Sequence, residues 1–295
     1  MRGLTLEDSW ELALKIHDLA EIGSAEVRSS SMLVDLLRDH GFEVECPYKG
    51  IPTAFRAERR AGSGTPVVAF LAEYDALRGI GHACGHNLIA SSVVSAAIQA
   101  STALRNGRVV VIGTPDEEGS GAWAGSKILL ADQGAFSDVD FAITSHPGDR
   151  WVAAGQTLAV QDLEVTFHGV AAHSAANPEE GRSALDAALL TYTAVNMLRQ
   201  HVRRDANVVI HGVLREGGQA SNVTPDKAVL VFGIRSSDLA YEEALIERFQ
   251  EIVRGCCLAT GTTSDVAFVG PLFSTTKVNR TLAGYMQKCL VRRGV

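Results

Sequence analysis

The stretch Ala69–Ala90, AFLAEYDALRGIGHACGHNLIA, decides how the rest of the chain reads. It continues an apolar run, PVVAFLA, that starts at Pro66 and has the length of a strand buried on both faces. It passes through Asp75 into a glycine-punctuated loop holding His82, Cys84 and His86, three metal-competent side chains within five residues. It leaves as HNLIASSVVSAAIQASTAL, whose Ala and Ser positions let a helix pack closely on a sheet. A single buried Cys or His is ordinarily a satisfied core residue. An H-x-C-x-H cluster bounded by Gly81 and Gly85, just past a buried strand, points instead to metal binding or catalysis. Open α/β sheets carry their chemistry at the carboxyl ends of their strands.

Composition narrows the classes. A chain of 295 residues with 46% hydrophobic content can bury two cores. A net charge of -7, with no basic run beyond Arg59-Arg60 and Arg203-Arg204, argues against a nucleic-acid partner. The opening MRGLTLEDSWELALKIHDLAEIG has apolar residues at helical spacing broken by charges, unlike a signal peptide, and no run reads as membrane-spanning. The five cysteines are odd in number, with Cys256 and Cys257 adjacent, which does not read as a secreted disulfide framework. The expected setting is a reducing cytoplasm with no membrane partner.

Outward from the central stretch, residues 5–40 carry two helical patterns, and GFEVECPYKGIPTAFRAERR alternates like a strand or hairpin. Then GRVVVIGTPDEEG repeats the central logic, an apolar strand running into a loop with Asp116, Glu117 and Glu118, followed by an amphipathic helix. DVDFAITSHPG reads as a third buried strand with His146 beyond its end. An acidic loop alone is usually solvated. The threefold repetition argues that neighbouring strand ends bring Cys84, His86, Glu118 and His146 into one crevice. The expected fold is α/β, a mainly parallel-sheet domain to which the early hairpin adds antiparallel strands.

Residues 158–270 change character to β-α-β-β-α-β, the ferredoxin-like order, and read as a domain inserted into the first. The catalytic domain is then 1–157 together with 271–295, where a last helix begins.

A thiolate with imidazoles selects soft or borderline divalent ions, zinc by default, while the carboxylate leaves room for manganese or nickel. Of the adjacent Glu pair, one binds and the other takes a proton from a water whose pKa the ion has lowered.

The strings EYDALRGIGHACGHN, GTPDEEG, SHPG, GVAAHSAANPEEGRSALDA and GGQASNVTPDKAVLVFGIR span nearly the whole chain. Together they resemble the two-metal aminoacylase and carboxypeptidase superfamily of zinc-dependent metallopeptidases. Within it they are most similar to the amidohydrolase branch of aminobenzoyl-glutamate hydrolase, indole-acetyl-amino-acid hydrolases and β-alanyl-type dipeptidases. The resemblance implies a hydrolase acting on the amide of an N-acyl or N-aminoacyl amino acid. It makes Cys84, His86, Glu118 and His146 metal ligands and Glu117 the general base. It gives His173 a role in the partner subunit's site, stabilising the oxyanion, and so implies a homodimer built through residues 158–270. Asn222 and Arg235 correspond to groups holding the substrate carboxylate, a task that suits a guanidinium fork. His82 takes a supporting place behind the ligands, and His168, His201 and His211 read as structural.

Three departures qualify the resemblance. Arg78 stands where this branch usually has proline. Asp116 replaces a small residue, and its charge is expected to raise the pKa of Glu117. The family's final metal-binding histidine lies beyond the point where this sequence stops, and the segment after Gly270 holds neither histidine nor carboxylate. The expectation is therefore a truncated catalytic unit, with a non-catalytic dimeric binding relative as the alternative. A cysteine hydrolase using Cys84 is a third reading.

Overall fold

The computed structural model describes residues 3–294, which form two compact units parting between Arg150 and Trp151. The first opens with α1 (Leu6–Leu19), started by a capping box in which the Thr5 hydroxyl accepts from the Asp8 amide and the Asp8 carboxylate accepts from the Thr5 amide. It buries Leu12, Ala13 and Ile16. After α2 (Val27–Asp39) come β1 (Glu43–Glu45), β2 (Phe55–Ala61), β3 (Val67–Ala72), α3 (His86–Ala103), β4 (Gly107–Gly113), α4 (Ser126–Asp132) and β5 (Phe141–Ile143). They form one mixed sheet in the order β1-β2-β4-β3-β5. The early hairpin supplies the antiparallel part, β1 on β2 and β2 on β4, while β4, β3 and β5 run parallel.

Strand alternation gives the sheet two cores. Val109 and Val111 of β4 pack with Leu33, Leu37, Ile89, Val93 and Ile98 of the helices. Val110 and Ile112 face the other way, onto Ile51, Leu130 and Ala135. A parallel sheet covered on both faces is what the apolar strand runs require. The third strand differs from expectation. β5 has only three residues and Phe141 is 39% exposed, because β5 is the sheet edge and pairs with β3 alone among the described residues.

The second unit holds β6 (Ala159–His168), α5 (Ala184–Leu198), β7 (Val209–Glu216), β8 (Lys227–Ser236), α6 (Leu239–Thr260), β9 (Thr263–Phe273) and α7 (Arg280–Arg292). Its sheet is wholly antiparallel, in the order β7-β8-β6-β9. β6 alternates buried and half-buried residues along its length, with Leu163, Val165 and Phe167 facing inward. They meet Phe232 and Ile234 of β8, Ala184, Ala187 and Ala188 of α5, and Leu245, Phe249 and Val253 of α6. The small residues of α5 allow its close approach to the sheet. Among the described residues no helix is long and apolar enough to cross a membrane.

Candidate metal centre

The three parallel strands of the first unit lie side by side, so their carboxyl ends open at one edge of the sheet. Glu73 and Asp75 follow β3, Asp116 to Glu118 follow β4, and His146 follows β5. α3 starts at His86 itself. Gly85 before it has φ 75°, and a Cβ there would lie 2.8 Å from the Pro147 ring. Only glycine combines that backbone with passage of the His-Ala-Cys-Gly-His loop so close to the His146-Pro147 segment.

His86 is 1% exposed and its protonation pattern is set by its neighbours. Nδ1 lies 2.8 Å from Asp75 Oδ1, and a carboxylate only accepts, so Nδ1 carries the proton. The other oxygen of Asp75 accepts the Glu118 amide at 2.9 Å, tying the acidic loop to the histidine. His86 Nε2 is left with its lone pair, buried and without a hydrogen-bond partner. It faces Glu73 Oε2 at 3.4 Å, Glu117 Oε2 at 3.7 Å and Glu118 Oε1 at 3.8 Å. His146 repeats the pattern: its Nδ1 donates to the Pro147 carbonyl at 2.8 Å, and its ring stands edge-on to His86 with centroids 6.0 Å apart.

Two triplets of ligand atoms result, Glu73-His86-His146 and His86-Glu117-Glu118, the atoms of each within 4.8 Å of one another. Burying acceptors against acceptors is costly unless a cation sits among them. Burial lowers the pKa of His86, but Asp75, Glu73 and Glu117 raise it by more, so the surroundings draw positive charge to this point. The orphaned Nε2, its carboxylate-fixed tautomer and the converging oxygens fit a divalent metal ion.

Cys84 belongs to neither triplet. Its thiol donates to Glu118, and that bond, then burial, then the charges of Glu118 and Glu117, push its pKa up to about 11. A thiol held so firmly in its neutral form is a poor free nucleophile, which weighs against the cysteine hydrolase. A cation nearby reverses that preference and makes the same sulfur a ligand.

Three further residues matter. Lys127, on α4, places Nζ 2.6 Å from Glu73 Oε1 and 3.4 Å from Glu117 Oε1, and these acids outweigh burial in keeping it charged. Neither Glu73 nor Lys127 stands out in the sequence, although Glu73 directly follows the apolar strand. Asp116 departs from expectation. It is fully buried with φ 55°, and its carboxylate accepts from Ser24 Oγ and from the amides of Ser120, Gly121 and Trp123. Its own amide donates to Glu26. The charge is therefore taken up in shaping the loop rather than aimed at Glu117. The ring nitrogens of His82 are buried without partners, outside both triplets.

In the second unit, His173 and Asn222 sit together. His173 bridges to Val223, and the Ser174 amide donates to the Asn222 carbonyl at 3.0 Å. Both side chains are exposed. They lie past the Lys227 end of β8, whereas the exposed Arg235 is eight residues along that strand, roughly 27 Å away at the usual strand rise. The second unit thus pairs His173 with Asn222 and leaves Arg235 at the opposite end of the sheet.

Residues 160–256, from β6 into α6, match the family model described as a peptidase dimerisation domain. Xaa-Arg dipeptidase of Mus musculus is 39% identical over 247 residues, covering 80% of this chain and 56% of the dipeptidase. A p-aminobenzoyl-glutamate hydrolase chain from Escherichia coli (strain K12) is 33% identical over 307 residues, covering 96% of this chain and 62% of the hydrolase chain. A solved dinuclear metal binding peptidase from the M20 family, of Bacillus subtilis, matches with a TM-score of 0.71 over 98% of this chain and 80% of its own, at 18% identity, a likeness of fold. Residues 160–256 thus match an M20 peptidase dimerisation domain, and the chain as a whole is similar to these hydrolases. It spans a little over half the length of these curated relatives. Along this chain the candidate residues divide cleanly. Cys84, His86, Glu117, Glu118 and His146 lie in the first unit, and His173, Asn222 and Arg235 in the second.

Proposed function

We propose that this chain carries the chemistry of a metal-dependent amidohydrolase or dipeptidase acting on N-acyl or N-aminoacyl amino acids in the cytoplasm. The observation that carries the reading is the buried, unpartnered Nε2 of His86, presented by Asp75 to converging carboxylates. His86, His146, Glu118 and Cys84 would hold a divalent ion, zinc by donor type with manganese or nickel as alternatives, and the clustered carboxylates leave room for a second. Such an ion supplies Lewis acidity and a lowered pKa for water.

The chain's own residues do the rest. Asp75 keeps Nδ1 of His86 protonated. Glu117 is about one-third exposed at its side chain, with Oε1 near Lys127 and Oε2 turned toward His86. A carboxylate anchored on one side and open on the other can accept a proton and return it to a departing amine. His173, with Asn222 beside it, would reach the partner subunit's centre in a homodimer, and Arg235 would meet a substrate carboxylate. The substrate class is supported by the names of two relatives, an Xaa-Arg dipeptidase and a p-aminobenzoyl-glutamate hydrolase. Both imply an amide to an amino acid. We take 158–270 as the inserted domain and 271–295, which groups with the second unit here, as the segment leading back to the first.

The test is Glu117→Gln, assayed on a panel of N-acyl amino acids and dipeptides. Turnover should fall by about a hundred- to ten-thousand-fold with metal content unchanged. Undiminished turnover would remove Glu117 as the base.

A further inference from the structure

We propose that Glu73 is an additional ligand of this metal centre and that Lys127 holds the oxygen that does not bind. The inference rests on the metal centre proposed above. Glu73 follows the end of β3 and is 4% exposed, and its two oxygens have different surroundings. Oε1 lies 2.6 Å from Lys127 Nζ. Oε2 is buried without a hydrogen-bond partner and faces His86 Nε2, equally unpartnered, at 3.4 Å. Glu73 also forms a triplet of ligand-bearing residues with His86 and His146.

The ion pair with Lys127 satisfies half of this carboxylate. The other half is aimed at Nε2, which in the neutral ring presents a lone pair because Asp75 takes the proton on Nδ1. Two acceptors held together out of water repel unless a cation lies between them, and an imidazole with a carboxylate oxygen is a donor set that zinc accepts. Charge leads to the same place. Glu73, Asp75, Glu117 and Glu118 face one ammonium, Lys127, and a divalent ion offsets the excess. With Oε1 occupied by Lys127, Glu73 is restricted to binding through one oxygen.

The experiment measures zinc affinity of the full chain by chelator competition, and the visible absorption of its cobalt-substituted form, for Glu73→Gln, Lys127→Met and His86→Ala. Glu73→Gln should weaken zinc binding by at least about tenfold and shift the cobalt bands. Lys127→Met should cost much less, because the carboxylate remains. Wild-type affinity and spectrum in Glu73→Gln, with zinc weakened in His86→Ala, would overturn this inference alone. Equal losses in Glu73→Gln and Lys127→Met would also overturn it, making Glu73 only the partner of the ammonium. Zinc retained by His86→Ala would misplace the centre and take the proposed function with it. Should Glu73→Gln fail to fold, the double variant Glu73→Gln/Lys127→Met removes both charges of the pair, and the same loss is expected of it.

Discussion

Two buried carboxylates, Glu73 in the first unit and Glu242 in the second, both have oxygens without a hydrogen-bond partner. Glu73 stands among His86, His146 and Lys127 where parallel strands end. Glu242 stands on the first turn of α6, a helix whose Leu245, Ile246 and Phe249 belong to the apolar core, and it joins no metal-competent group among the described residues. A buried unpaired acid is costly in either place. In the first unit a bound cation would offset that cost, so the strain reads as a site. In the second only protonation relieves it. An orphaned polar atom therefore points to function when ligands converge on it, and to titration when they do not.

The comparison breaks most visibly if the second unit does chemistry of its own. Its exposed His173 is expected to act on the partner's centre, so His173→Ala should lower turnover by roughly a hundred- to a thousandfold, the usual cost of losing an oxyanion donor. Mixing it with Glu117→Gln chains should restore activity, because one site in the mixed dimer has both groups. Absence of complementation in a confirmed mixed dimer would return His173 to its own loop. Asp75 sharpens the other side. Asp75→Asn keeps the shape but allows the wrong tautomer of His86, and metal affinity should fall by about ten- to a hundredfold. Unchanged affinity would mean that the Nδ1 contact does not orient the ligand.

Much of this was legible in the sequence. The apolar run, the glycine-bounded loop and the small-residue helix appear as β3, the loop holding Cys84 and α3. The split βαβ order appears strand by strand in the second unit. Reading failed where a property depends on neighbours far along the chain. β5 has an apolar sequence, yet its exposure follows from being last in the sheet. Lys127 looks like any lysine on a short helix, and only the juxtaposition of α4 with the end of β3 gives it Glu73. Asp116 reads as a free charge until its left-handed backbone turns the carboxylate onto its own loop. Glu242 and Glu243 are indistinguishable in sequence, but the first is buried and the second exposed.

The smallest effect expected is in stability and lies at Glu242. Burial pushes its pKa up to about 7 from 4.5. Between those values the folded chain binds a proton that the unfolded chain has released, so stability falls as pH rises and the full penalty is present above about pH 7. A tenfold change in proton affinity corresponds to about 1.4 kcal/mol, so the loss between about pH 5 and pH 8 is on the order of 2 to 3 kcal/mol. Glu26, in the first unit, also has its pKa raised to about 7 by burial and contributes a similar slope. The wild-type curve therefore cannot isolate Glu242, whereas the difference between wild type and Glu242→Gln does. Hydrogen exchange along α6 localises the readout to the second unit, each pH being compared between the two proteins. Glu242→Gln should gain protection relative to wild type at pH 8 over what it shows at pH 5, with turnover unchanged at both. A variant whose difference from wild type is the same at the two pH values would show that Glu242 is ionised in the folded chain. The contrast with Glu73 would then be one of ligands alone, with no difference in protonation behind it.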